Sequence, residues 1–379
     1  MPGPLEGVVV TELAGLGPAP FCGMVLADLG AEVVRVDRVG GGAPPIGSIG
    51  ADVLGRGKKS IAVDLKVPEG VEVVLRTVAR SDVLIEGFRP GVAERLGVGP
   101  AECLARNPAL VYGRMTGWGQ DGPLAATAGH DIDYIALSGA LHAIGKRDEP
   151  IPPLNLVGDF GGGGMLLAVG VLAAVISAFH SGVGQVVDAS MVDGSALLMA
   201  SHHGYMSDGW WQPERESNLL DGAAPFYTTY RTSDDRHVAV GALEPQFFAA
   251  LLAGLDVDPE EVGPQHDRDN WPAMHRLFAD RFRARTRDEW ERHFAGSDAC
   301  VAPVLSMAEA PEHAHNQARG TFVEIDGVVQ PGPAPRFSAS PAVAGEGPPE
   351  PGQHTDEVAS AAGFSRDEIG KLRDIGAIA

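Results

Sequence analysis

Cysteine is scarce in this 379-residue chain: Cys22, Cys103 and Cys300 lie far apart and are odd in number. Such spacing excludes a disulfide-stapled scaffold and offers no thiolate metal set; a reducing compartment, the cytoplasm, is expected. Positive charge is also short, with 29 Lys and Arg against 50 Asp and Glu and a formal net charge of −21. That excludes a general nucleic-acid binder or a protein held on anionic membranes, although a local basic cluster can still hold an anionic ligand. The opening residues MPGPLEG carry no basic stretch followed by an apolar one, so no signal peptide is expected, and the final Gly-Ala-Ile-Ala is not a peroxisomal address. Long apolar runs are missing too. The best candidate, Met165 to Phe179, follows four glycines and spans roughly 15 residues, short of the ~20 that cross a bilayer, so it predicts a buried core helix and no membrane span. There is no internal repeat.

What remains is a globular composition, 44% hydrophobic and 21% charged, at a length that suggests two domains. Val8–Glu12 reads as a short strand, Pro18–Leu29 as a helix ended by Gly30, and Glu32–Asp37 as a second strand. Helices at Val71–Arg80 and Val92–Leu96 then alternate with strands at Val83–Glu86 and Leu110–Met115. This alternation predicts an α/β fold with a Rossmann-like parallel sheet covered on both faces. Beyond residue 200 the texture changes. Residues 201–224 read as a linker and 225–305 as a smaller α+β domain, with a hairpin at Phe226–Arg231 and His237–Gly241 followed by helices. A second linker, 306–320, returns the chain to the large domain, which is expected to comprise 1–200 and 321–379. Its last helix is expected near Asp367–Ile375, with Ser365 as N-cap.

A β–α–β opening invites a dinucleotide-binding reading. The first turn, Ala14-Gly15-Leu16-Gly17-Pro18-Ala19-Pro20, has two glycines at the right spacing but lacks the third, and two prolines stand where backbone N–H groups would meet a pyrophosphate. NAD is therefore discounted. Arg38, Arg56, Lys58, Lys59, Lys66, Arg89 and Arg95 instead form a basic set in an acidic chain. Singly each reads as solvated charge; together, near strand ends, they suit a ligand with several phosphates, of which coenzyme A is one.

Two further segments could carry chemistry. Gly129-His130-Asp131-Ile132-Asp133-Tyr134 opens an apolar helical run, and a histidine in a first helical turn is biased toward the neutral imidazole, which accepts a proton. An arbitrary histidine is more often a structural one. Asn155-Leu-Val-Gly-Asp159-Phe-Gly161 to Gly164 leads into the apolar helix, and its four consecutive glycines cost roughly 1 kcal/mol each against alanine in a helix. They are expected to leave free N–H groups for an enolate oxygen, with Asp159 beside them. Glu244, before Pro245, means little alone, and His202-His203 and His313-x-His315 lack further ligands at metal spacing.

These segments resemble the class III CoA-transferase family and, within it, the branch of α-methylacyl-CoA racemases. The likeness runs through Leu26-Ala-Asp-Leu-Gly-Ala-Glu-Val-Val-Arg-Val-Asp-Arg38, Ile85-Glu-Gly-Phe-Arg-Pro-Gly91, Thr116-Gly-Trp-Gly-Gln120, Gly129 to Tyr134, Asn155 to Gly163, Val186 to Gly194 and Gly241 to Phe247. It implies an interlocked homodimer whose subunits each have a large Rossmann-like domain and a smaller one. It also implies a 2-methylacyl-CoA substrate, with coenzyme A as part of the substrate and no separate cofactor. Catalysis would rest on His130 and Asp159 as two bases, with Glu244 and Asp131 supporting His130. Coenzyme A would be held by Arg38, Val63, Leu65, Lys66, Gly87, Phe88, Arg89 and Arg95. Lys59 and Gly55 depart from the family's usual arginine and asparagine. The alternative that the resemblance leaves open is a CoA-transferase, in which Asp159 would form an acyl anhydride.

Overall fold

The structure, a computed structural model, describes residues 3–41 and 52–379. It divides into two compact units, one comprising 1–138, 153–199 and 314–379, the other 139–152 and 200–313. In chain order the first unit begins with β1 (Val9–Leu13), α1 (Pro18–Asp28), β2 (Glu32–Arg38), β3 (Lys58–Val63), α2 (Pro68–Val78), β4 (Val83–Glu86), α3 (Val92–Arg95), α4 (Pro100–Arg106), β5 (Val111–Thr116) and α5 (Asp131–Leu137). A short excursion into the second unit forms α6 (Ala140–Ala143) and the hairpin β6 (Gly145–Lys146) and β7 (Glu149–Pro150). The chain then returns as a π-helical stretch, Leu156–Met165, that runs into α7 (Leu166–Ser181), followed by β8 (Gln185–Ser190) and α8 (Met191–Leu198).

Six strands form one sheet in the order β3-β2-β1-β4-β5-β8, every neighbouring pair parallel. Parallel strands buried on both faces carry apolar side chains on both. Val34, Val36 and Ile61 face α2 and the chain's C-terminal segment (Val358, Ile369, Leu372), while Val10, Val33 and Ile85 face α1 and α7. The order reverses between β1 and β4, so the loops after these two strands diverge and leave a crevice at their carboxyl ends.

The apolar helix differs from its sequence reading. The glycines do not break it, because wide π-helical turns carry the chain through them, and the whole helix runs Leu156–Ser181 and contains an 18-residue stretch with a mean hydropathy of 2.1. By length and composition it could cross a membrane. In the first unit its Leu167, Val171 and Ala174 are buried against the sheet.

The second unit holds α9 (Ala200–Ser207), β9 (Tyr227–Arg231), β10 (His237–Gly241), α10 (Pro245–Gly254), α11 (Pro259–Val262), α12 (Trp271–Phe282), α13 (Arg287–Phe294) and β11 (Val301–Pro303). Its antiparallel sheet, ordered β11-β10-β9, buries Tyr230, Val238 and Val240 against Phe248, Phe278 and Phe282, with Tyr230 stacked on Phe282 at 5.0 Å. Residues 139–152, placed by sequence in the large domain, belong here, because Arg215 donates to the carbonyls of His142 and Lys146 while Glu216 accepts from Lys146 Nζ and Arg147 N–H. The expected linker 201–224 is thus built into this unit, through α9 and the turn around Asn218. The chain completes the first unit with α14 (Ala314–Arg319), the hairpin β12 (Phe322–Ile325) and β13 (Val328–Pro331), α15 (Thr355–Ala361) and α16 (Arg366–Asp374), the last capped by Ser365.

Three of the seven basic residues singled out above are structural. Lys58 and Glu12 are side-chain buried at 0% and paired at 2.7 Å, with a further bond from Lys58 Nζ to the Pro20 carbonyl at 2.9 Å. Arg56, 2% exposed, grips both Asp28 oxygens, Gln330 and the Pro331 carbonyl. Lys59 pairs with Glu32 and Glu357. Fully engaged and, for the first two, desolvated, these cations are closed to a phosphate. Breaking one partner of a buried pair costs about 3–5 kcal/mol, whereas replacing both by apolar groups is often near neutral. We expect Lys58→Met to lower unfolding free energy by about that amount and the Glu12→Leu/Lys58→Met double variant to recover most of it, as measured by urea denaturation; equal losses in both would contradict this assignment.

Candidate active site

The crevice at the β1/β4 reversal opens into a cavity of about 570 Å³ within the first unit. The loop after β1 contributes Leu16 and Gly17, the loop after β4 contributes Gly87, Phe88 and Arg89, and Met115, Trp118, His130, Tyr134, Asn155, Asp159 and Met191 complete the wall. His130 and Asp159, taken from segments that sequence reading had linked only through a resemblance, therefore face the same space.

His130 is the exposed residue before α5, and Asp133 accepts its backbone N–H at 2.9 Å. Asp159 is half-buried on the π-helical stretch, where its Oδ2 accepts a hydrogen bond from Asn155 Nδ2 at 3.0 Å. Burial, and then the negative charge of Asp131, raises the Asp159 carboxyl above its ordinary 3.8, while the Asn155 bond and a cationic His130 pull it down. Asp131, expected to support His130, directs its buried carboxylate elsewhere: Oδ1 accepts the backbone N–H of Asp159 at 2.7 Å. A side chain at Gly158 would collide with that carboxylate, so the glycine is needed for the contact.

The glycine run is explained by packing. A Cβ on Gly162 would lie 2.6 Å from Ser195 N, one on Gly163 within 3.1 Å of Met191 and Pro18, and one on Gly164 at 2.5 Å from the Pro18 carbonyl. The helix crosses α1 and α8 backbone against backbone, and its glycine amides lie inside a continuous helix instead of at a free end. The expected oxyanion role for them is corrected accordingly, since helix-interior N–H groups are spent on the helix's own carbonyls.

Of the coenzyme candidates, Gly87, Phe88 and Arg89 line the cavity. Arg38 is exposed at the end of β2, Val63 is buried at the end of β3 with Leu65 and exposed Lys66 just beyond it, and Arg95 is exposed on α3. Glu244 lies in the second unit, exposed at the N-cap of α10. Sequence reading gave no role to Asn155, to Tyr134, or to Glu86, whose buried carboxylate accepts Phe88 N–H at 2.6 Å and pairs with Arg114. A lone carboxylate at the end of an apolar strand was the available signal for Glu86.

CoA-transferase family III matches residues 5–355 of the sequence. The chain belongs to this family. It is 50% identical over 372 residues to alpha-methylacyl-CoA racemase of Mus musculus, covering 97% of this chain and 96% of the relative. The racemase of Homo sapiens is 47% identical over 371 residues, with the same two shares. Among solved structures, a CAIB/BAIF family protein from Brucella suis superposes with a TM-score of 0.81 at 26% identity, covering 96% of this chain and all of that one. The six-stranded parallel sheet is thus the fold of CoA-transferase family III.

Asp159 yields a stability test independent of turnover. Because the folded state binds this proton more tightly than the unfolded chain, stability falls as pH rises through the raised pKa. Asp159→Asn removes that loss, so its melting temperature should gain on the parent protein between acid pH and pH 8 and converge with it below the ordinary 3.8. A gap that does not change with pH would contradict the raised pKa.

Proposed function

We propose that this member of CoA-transferase family III is an α-methylacyl-CoA racemase, inverting the α-carbon of 2-methylacyl-CoA thioesters by proton transfer through an enolate. The observation that carries the reading is the pair of proton-carrying side chains, His130 and Asp159, on one cavity and in electrostatic contact. The identity with two racemases supports it.

Inversion needs a base on each face of a planar enolate. In one direction neutral His130 takes the α-proton and protonated Asp159 returns one to the opposite face; in the other, ionised Asp159 takes it and the imidazolium gives one back. In either direction the two groups together carry one proton at the start of the turnover. Burial supports the protonated form of Asp159, and Asn155 with the imidazolium supports the ionised form, which keeps both directions accessible.

For the coenzyme, Gly87, Phe88 and Arg89 on the cavity wall would hold the pantetheine end. Arg38, Val63, Leu65, Lys66 and Arg95 would hold the nucleotide, the exposed cations meeting its phosphates. No separate cofactor enters this scheme, because the thioester is itself the electron sink. The exposed thiol of Cys300 fits a reducing compartment such as the cytoplasm.

The assembly we propose is an interlocked homodimer. On α7, Val169, Ile176 and Phe179 are 58%, 60% and 70% exposed and share one helix face, and a large bare apolar stripe of this kind favours a protein partner.

Incubating one epimer of a 2-methylacyl-CoA in D₂O, with no acid acceptor, should replace the α-proton and produce the other epimer. His130→Ala should slow inversion by roughly 10²–10⁴-fold. Lack of exchange, with CoA transfer once a free acid is added and with hydroxylamine trapping of Asp159, would establish the transferase chemistry instead. In sedimentation, Phe179→Glu should shift the protein toward monomer; an unchanged dimer would show that α7 is not its interface.

A further inference from the structure

The imidazole of His130 can only be as well placed as the peptide bond that precedes it, and that bond follows a glycine. Both ends of the Gly129–His130 peptide unit are held from α5. The N–H end donates to Asp133 Oδ2 at 2.9 Å, and the carbonyl end accepts from Tyr134 Oη at 2.5 Å. Tyr134 is 6% exposed, and its ring stands edge-on to Trp118 with centroids 4.7 Å apart and planes at 85°. Two glycines make room for it. A Cβ on Gly129 would come within 2.8 Å of the ring, and one on Gly117 would run into it.

A peptide plane that follows a glycine and has a free carbonyl can swing about the flanking backbone dihedrals at little cost, since glycine occupies most of backbone space. Here the rotation would break two hydrogen bonds at once. Burial pushes the Tyr134 hydroxyl up to about 12, so it stays a donor across the working range.

We propose that Tyr134 is a positioning residue for His130: its hydroxyl pins the Gly129–His130 peptide plane and so aims the imidazole into the cavity. This rests on the two-base reading above, which supplies a readout that a merely structural role would not move. Each base addresses one face of the α-carbon. A residue that acts through His130 must therefore slow proton exchange for one epimer and spare the other.

The experiment measures initial α-proton exchange in D₂O for each epimer of a 2-methylacyl-CoA separately, in the parent protein, His130→Asn, Tyr134→Phe and Asp133→Asn. His130→Asn sets the reference: it should abolish exchange for the epimer whose proton faces His130 and leave exchange of the other. Tyr134→Phe keeps the ring against Trp118 and loses one neutral hydrogen bond. It should slow exchange roughly 3- to 10-fold for that same epimer, leaving KM and the other epimer's exchange nearly unchanged. Asp133→Asn, which weakens the other end of the same peptide unit, should tilt the ratio in the same direction. If His130→Asn splits the epimers and Tyr134→Phe slows both alike, or neither, the positioning role is overturned while the two-base reading stands. If His130→Asn fails to split them, the two-base reading falls and this role with it. A Tyr134→Phe loss shared by both epimers and accompanied by a lowered melting temperature would also overturn it, as a packing effect.

Discussion

The arrangement of the cavity depends on three backbones meeting without side chains between them. Gly162 to Gly164 let the helix Leu156–Ser181 lie directly on the Pro18 turn of α1 and on Gly194 and Ser195 of α8, where a Cβ on Gly194 would run into the Gly162 carbonyl. Such contact leaves no room for an added methyl group, because interiors packed this closely do not relax around one without about 1–3 kcal/mol of strain. Asp159 sits one turn before the crossing, beside Gly17, whose φ of 64° favours glycine and whose Cβ, if present, would make only an ordinary 3.6 Å contact with Oδ2.

Buried charge sorts the basic residues of the chain into two kinds. Lys58 and Arg56 lie beneath the surface, where an ion is tolerated only with its partner and its hydrogen bonds complete, and both meet that condition. Lys58 also holds the Pro20 carbonyl, so this pair fixes the start of α1, the same element against which the glycine helix packs. Arg38, Lys66, Arg89 and Arg95 lie exposed at the carboxyl ends of strands or in the segments that follow them. The cations that hold the scaffold and those free to meet an anion are thus different residues, although they stand close together in sequence.

The parallel sheet could be read from the sequence because alternating apolar strands and amphipathic helices leave a periodic mark, and Val83–Glu86 and the capped last helix lie where that mark puts them. Residues 139–152 and 201–224 left no such mark. Their place in the second unit is set by Arg215 and Glu216 reaching back across about 70 positions, and a local pattern cannot register contacts of that separation. At the site, His130 and Asp159 stood out by residue type and setting, but the partners that orient them did not. Asp131 was expected beside His130 and instead accepts the backbone N–H of Asp159, and Tyr134 read only as part of the segment that opens an apolar helical run. The glycine run was legible as an anomaly and was misread in its cause, since sequence shows that a close approach is needed without showing which backbone approaches.

The two chemistries weighed for Asp159 differ in when its carboxyl must carry a proton. A nucleophile that must attack a thioester has to be ionised, and a group that delivers a proton to an enolate has to be protonated. Burial favours the second state at Asp159, and the neighbouring Asp131 adds to it because two adjacent carboxylates resist ionising together. The opposing pull comes from Asn155 and from His130 only when the imidazole is cationic. In the two-base scheme proposed above, a proton held by one of the pair is absent from the other, a correlation that inversion requires and a nucleophile does not. Under that proposal, replacing the histidine by a neutral residue removes one of the two proton carriers and leaves only the face that meets Asp159 open to exchange.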